Sequence, residues 1–162
     1  MMTEPQKEHQ WLQQFVGEWT YEGECPGEGP DKPPTKMSGG ENVRSIGGVW
    51  IQAEGTGKMP DGAPATTILT LGFDAEKKRY VGTWIGSMMG FMWHYDGSVD
   101  AGGRILTLDC EGPSMAGDGS KAKYQDIHEC RSKDERGFSS RMQGPDGKWT
   151  TFVTMTYRRK PS

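Results

Sequence analysis

The chain changes from helix to strand at Gly17-Glu18-Trp19-Thr20-Tyr21-Glu22-Gly23-Glu24, residues 17–24. Within this stretch polar residues occupy the even positions, while Trp19 and Tyr21 occupy odd ones. A period of two places the aromatic side chains on one face of a β-strand and the carboxylates on the other. The stretch therefore predicts a first strand with one buried and one solvated face.

The segments on either side of this strand have different character. Residues 5–16 predict a helix, because Pro5 suits a first helical position and four apolar residues between positions 11 and 16 share one face. Gly17 is a natural stop just past a helix. After the strand, residues 25–34 are rich in Pro, Gly and acidic residues, which predicts a flexible loop.

Nine further strand candidates follow in close succession. They cover residues 36–46, 49–57, 66–73, 79–87, 90–97, 104–111, 122–131, 137–143 and 148–159. Asp-Gly and Gly-Gly dipeptides separate many of them, and these accept the positive φ that tight β-turns need. Connections this short make neighbouring strands antiparallel, and no segment is long and apolar enough for a crossover helix.

A meander of about ten strands removes its two exposed edges by closing on itself. We therefore predict an all-β, antiparallel up-and-down barrel of about ten strands, forming a single domain over residues 1–162. The N-terminal helix should cap one end of the barrel. Trp19, which follows the helix, should plug that end.

Composition narrows the classes of function. A net charge of −3 and a pI of about 5.6 give no basic face for nucleic acid. No apolar run approaches the ~18–20 residues of a membrane span, and the polar first ten residues contain no signal region, which predicts a cytoplasmic protein. Three cysteines without a Cys-x-x-Cys motif predict free thiols and not a disulfide framework.

Several longer motifs carry a family resemblance. They are Phe15-Val16-Gly17-Glu18-Trp19, Gly48-Val49-Trp50-Ile51, Leu71-Gly72-Phe73-Asp74, Tyr80-Val81-Gly82-Thr83-Trp84-Ile85-Gly86-Ser87-Met88-Met89 and Thr156-Tyr157-Arg158-Arg159. With them the chain resembles DUF1579, a family of bacterial proteins of unassigned function with a calycin-like (lipocalin-related) barrel. The resemblance runs from His9 to Lys160. It implies the barrel fold and supplies no catalytic residues.

The densest apolar stretch, residues 80–95, directs attention to the barrel interior. Three methionines cluster there, and methionine lines adaptable pockets as well as filling gaps in a core. Trp84 and Ile85 are adjacent, so they must point to opposite faces of a strand. The outer face of this hairpin should therefore be apolar and covered by the N-terminal helix or by a partner subunit, as in a homodimer.

The main functional hypothesis is a protein that binds a small apolar or amphipathic molecule inside the barrel. Candidates for the lining are Trp50, Trp84, Met88, Phe91, Trp93, Tyr124, Met142 and Tyr157. Each assignment depends on strand register, because a shift of one residue turns a side chain to the other face.

Two alternatives stay open. One is an enzyme that uses the same cavity, with His94 or His128 as the acid or base; Asp126 on the same face would raise the pKa of His128. Two strand histidines also suggest haem or metal ligation, but no His-x-His or Glu-x-x-His motif supports a metal, and no cofactor is assigned. The other alternative is a structural or oligomerisation module whose barrel is filled with side chains.

Overall fold

The computed structural model describes residues 2–26, 31–59 and 61–161. A short helix, α1 (Lys7–Leu12), and a 3-10 turn (Gln13–Phe15) precede ten strands. The strands are β1 (Gly17–Cys25), β2 (Thr35–Ile46), β3 (Trp50–Lys58), β4 (Pro64–Asp74), β5 (Arg79–Gly86), β6 (Met89–Val99), β7 (Ile105–Pro113), β8 (Lys121–Cys130), β9 (Glu135–Gln143) and β10 (Trp149–Arg159).

The ten strands form one closed barrel. Each strand pairs antiparallel with the next, and β1 closes the sheet by pairing antiparallel with β10, with Tyr21 opposite Tyr157. Closure leaves no free sheet edge, so each strand has a neighbour on both sides. The predicted all-β antiparallel barrel of about ten strands is confirmed, and each predicted strand matches an observed one to within two residues at either end.

The helix is shorter than the predicted span of residues 5–16. It begins after Gln6, whose backbone N–H donates to Nδ1 of His9 at 2.9 Å, so Pro5 lies outside it. Its end tightens into the 3-10 turn, and Gly17 adopts a φ of +134° where the chain enters β1. Of the predicted loop 25–34, Cys25 belongs to β1 and residues 27–30 lie outside the described residues.

One end of the barrel is plugged by this N-terminal segment. Trp19 is only 2% exposed, and its indole N–H donates to the carbonyl of Phe15 at 2.9 Å. The helix packs against β3 and β4 at this closed end. It does not cover the outer face of the β5–β6 hairpin. The expectation that the N-terminal helix covers this face was therefore wrong. No helix in the described part of the chain is long and apolar enough to cross a membrane.

Candidate ligand-binding site in the barrel interior

A polar cluster lies halfway along the barrel interior, centred on Asp126 of β8. The hydroxyl of Tyr95 on β6 donates to Oδ2 of Asp126 at 2.5 Å, and the hydroxyl of Ser140 on β9 donates to Oδ1 at 2.5 Å. Tyr95 and Ser140 are each 6% exposed, so packing fixes both donors. The two bonds hold the carboxylate at a defined position and orientation on the inner wall.

The electrostatic setting of Asp126 is unusual for a carboxylate. Burial raises the pKa of Asp126, and the hydrogen bonds from Ser140 and Tyr95 offset part of that rise. Its closest titratable neighbours are weak acids that burial weakens further: the pKa of Cys110 rises to about 12, and that of Tyr95 rises well above its ordinary value. No ion pair joins Asp126 to a cation within the ranges described.

The floor of the interior is a buried ion pair near the closed end. A guanidinium N–H of Arg136 donates to Oε1 of Glu41, and the side chains are 4% and 11% exposed. The guanidinium also lies 3.9 Å from the ring centroid of Tyr157 and 4.7 Å from that of Trp19, which adds cation–π attraction. The guanidinium of Arg136 is thus paired with Glu41 within the protein, although its Nε is buried without a hydrogen-bond partner.

His128 does not form the predicted pair with Asp126. It is 6% exposed, its ring lies against Phe15 and Phe138, and its Nδ1 is buried without a hydrogen-bond partner. Burial, reinforced by the charge of Arg136, lowers the pKa of His128 to about 3, the opposite of the predicted rise. The prediction failed because Tyr95 and Ser140, brought in from other strands, already occupy the carboxylate of Asp126.

The second histidine is remote from the interior. His94 lies opposite Thr83 on the outer face of β6 and is exposed. Neither histidine is therefore placed as the acid/base of an interior site. In the described ranges no three His, Cys, Asp or Glu side chains gather as a metal site would require.

An aromatic arc lines the open half of the interior, above Asp126. Its members are Trp84, Phe91, Trp93, Tyr124 and Phe152. The Trp93 ring meets both the Phe91 ring and the Tyr124 ring edge to face, with centroids 4.9 Å apart in each case. Trp84 lies opposite Trp93, and the Phe152 ring is 6.0 Å from that of Tyr124. The arc thus spans from β5 to β10.

Glycines let these rings lie against the wall of the barrel. A Cβ at Gly112 would overlap the Trp93 ring and lie 2.9 Å from Cε1 of Phe91. A Cβ at Gly39 would lie 2.6 Å from the hydroxyl oxygen of Tyr21. Rings seated in this way lie close to the backbone of the wall. Several inward-facing residues keep partial exposure, namely Leu69, Trp84, Phe138 and Met155.

A substitution at Gly112 tests whether the rings of Trp93 and Phe91 pack directly against this glycine. We expect Gly112→Ala to destabilise the protein by about 1–3 kcal/mol, because the new methyl group displaces Trp93 and Phe91 from a packed wall. Urea denaturation at neutral pH measures the change. Gly90→Ala on the neighbouring β6 is the matched control, since a Cβ there meets no atom within 4 Å. Equal stability of the two variants would contradict the seating of the rings.

The structure brings most of the eight predicted lining residues together. Those facing the open half of the interior are Trp84, Phe91, Trp93, Tyr124 and Met142. Met88 is at the rim, in the β5–β6 turn, and Tyr157 is at the floor beside Arg136. Trp50 is the exception: it is 39% exposed on the outer face of β3, where its ring covers Gly72, because the adjacent Ile51 points inward.

Sequence reasoning missed the polar cluster and one ring. Asp126 could have been placed inside, because it shares the β8 face of Tyr124. Phe152 was missed because a β-bulge between Thr151 and Val153 interrupts the alternation of β10. The prediction of free thiols is confirmed for all three cysteines.

Comparison with known proteins places this barrel among similar folds. No curated protein matches the chain. Rv2717c from M. tuberculosis is similar in structure, with 14% identity over 98% of this chain and 100% of that chain and a TM-score of 0.68. A redesigned β-barrel has 12% identity over 94% and 96% of the two chains and a TM-score of 0.50. EF1p2_mFAP2b bound to DFHBI has 13% identity over 94% and 99% and a TM-score of 0.50.

The family itself is given by a match over nearly the whole chain. The model of DUF1579, described as a protein of unknown function, matches residues 4–159. This agrees with the resemblance carried by the motifs between Phe15 and Arg159. The chain therefore belongs to the DUF1579 family.

Proposed function

We propose that this protein binds one small amphipathic molecule inside the barrel. The carrying observation is the combination of an aromatic arc above and a fixed carboxylate below, in an interior where the inward-facing side chains of Trp84 and Phe138 keep partial exposure. Ligand pockets are commonly lined by apolar and aromatic side chains with a few placed polar groups that orient the ligand. In this proposal the arc contacts the apolar body and Asp126 receives the polar end.

The shape of the interior favours this function over a filled structural module. In a filled barrel the inward side chains would meet one another and lose their exposed surface. Here Trp84 and Phe138 face inward and keep part of theirs. The barrel of EF1p2_mFAP2b, similar in fold, is bound to DFHBI, so a fold of this kind has room for a guest.

Native mass spectrometry of protein purified from its own host tests the proposal. We expect an added mass of one small molecule on the wild-type chain. Val153→Trp should abolish it, because Val153 lies opposite Ser140 on the inner wall and a larger ring there occupies the space beside Asp126. Thr154→Trp is the matched control, since the adjacent side chain is exposed on the outer face.

The two variants give the experiment a clear negative outcome. Wild-type protein without added mass would contradict the proposal. An added mass that survives Val153→Trp but not Thr154→Trp would place the ligand outside the barrel. Circular dichroism of both variants establishes that each retains the β-sheet fold.

A second proposal concerns the outer face of the β5–β6 hairpin. We infer that this face pairs two copies of the chain, because Ile85 and Met92 are 42% and 47% exposed there and Ile68 lies beside Ile85 on β4. The same native spectra count subunits. A dimer that Met92→Glu converts to a monomer is the expected result, and a wild-type monomer at micromolar concentration would contradict it.

A further inference from the structure

We propose that the polar end of the bound molecule is a protonated amine that pairs with Asp126. The inference rests on the proposed interior binding function and names the chemical class of its ligand. The class is an organic cation with an aromatic or other apolar body.

The first argument is the balance of charge inside the barrel. The charged residues on the inward strand faces in the described ranges are Glu41, Asp126, Arg136 and Arg159; Arg136 is paired with Glu41, and Arg159, at the closed end, is paired with Asp134. Within the described part of the chain, Asp126 receives side-chain hydrogen bonds only from the neutral hydroxyls of Tyr95 and Ser140. A buried carboxylate without a counter-charge is costly, and an ammonium group would supply both the charge and strong N–H donors.

The second argument is the chemistry of the groups around Asp126. Cys110 and Tyr95 stay neutral at physiological pH, since burial raises the pKa of each. The pKa of Tyr157, from β10, is also raised by burial. Asp126 is therefore the one of these groups that an ammonium group inside the barrel can meet as a carboxylate, and the ammonium charge would favour that ionised form. A carboxylate ligand would be repelled there and would find Arg136 already engaged with Glu41.

The third argument is the wall above the carboxylate. Tyr124, two residues from Asp126 on the same face of β8, lies edge to face with Trp93. The faces of tryptophan and tyrosine rings attract cations, and this attraction grows when water is excluded. An amine held between this wall and Asp126 would be stabilised by cation–π attraction to the rings and by the ion pair with the carboxylate. An alcohol of the same shape would be stabilised by the apolar contact alone.

Isothermal titration calorimetry with three matched probes tests the inference. The probes are 2-(2-naphthyl)ethylamine, 2-(2-naphthyl)ethanol and 3-(2-naphthyl)propanoate, which share an aromatic body and differ in the charge of the head. We expect the amine to bind the wild-type protein at least tenfold more tightly than the alcohol, and the carboxylate to bind more weakly than the alcohol.

Two variants locate the effect. Asp126→Asn keeps the shape of the side chain and removes its charge. It should therefore weaken the affinity for the amine at least tenfold and change the affinity for the alcohol less than threefold. Asp109→Asn is the matched control, because Asp109 is a carboxylate on the outer face of β7 with its side chain 51% exposed. It should leave all three affinities unchanged.

The outcomes separate this inference from the proposed function. Equal affinity for the amine and the alcohol, or unchanged amine affinity in Asp126→Asn, overturns the inference that the ligand is an amine. The proposal of an apolar binding site would still stand. Tighter binding of the carboxylate overturns it in favour of an anionic ligand. Absence of binding by all three probes, with no added mass in the native spectra, overturns both.

Discussion

Arg136→Met should lower the free energy of unfolding by about 3–5 kcal/mol, the largest effect of any substitution considered. The substitution removes the cation but leaves the carboxylate of Glu41 buried and uncompensated. It also removes the guanidinium that stacks on Tyr157 and Trp19. Breaking one side of a buried pair costs more than the pair contributes, because the remaining charge has lost its solvation and its partner. Urea denaturation at neutral pH measures the loss.

The double variant Glu41→Gln with Arg136→Met tests this explanation. Removing both charges should recover most of the stability lost in the single variant, since no uncompensated charge remains. Arg158→Met is the matched control: Arg158 pairs with Glu22 at 2.7 Å on the outer surface, with side chains 55% and 69% exposed. Exposed pairs contribute about 0–1 kcal/mol. A double variant as unstable as Arg136→Met alone would contradict the argument.

The barrel could be predicted because its signals are local. Alternation within each strand and Asp-Gly or Gly-Gly turns between strands are visible without knowing what a strand pairs with. Side-chain direction was less secure, since it depends on register at single residues. Trp50 begins β3 and points outward, and the bulge after Thr151 turns Phe152 inward against the simple alternation.

The polar site could not be predicted because its contacts are not local. Asp126 meets Tyr95 across 31 positions of sequence and Ser140 across 14. From sequence alone the nearest partner for Asp126 was His128, which shares its strand face. In the closed barrel, two hydroxyl groups from other strands donate to the carboxylate of Asp126. The imidazole of His128 is instead enclosed among Phe15, Phe138 and Arg136.

The protein should lose stability as the pH falls below about 6.5, and His128 should be a main cause. The pKa of His128 is about 3 in the folded protein, well below the value of about 6.5 for an unfolded chain. Between these values the unfolded state binds a proton that the folded state does not, so acid favours unfolding. The contribution is present in full above pH 6.5 and is lost at about 1.4 kcal/mol per pH unit as the pH falls toward 3.

His128→Leu isolates this contribution. Asp126 acts in the opposite direction, because its raised pKa makes the folded state take up a proton first, but that effect is common to wild type and variant. Urea denaturation at pH 7 and pH 5 should therefore show a wild-type loss about 2 kcal/mol greater than that of His128→Leu. His94→Leu, at an exposed position on the outer face of β6, should keep the wild-type dependence. If His128→Leu retained that dependence as well, the imidazole would have to accept its proton in the folded state, and the enclosed environment described for it would be wrong.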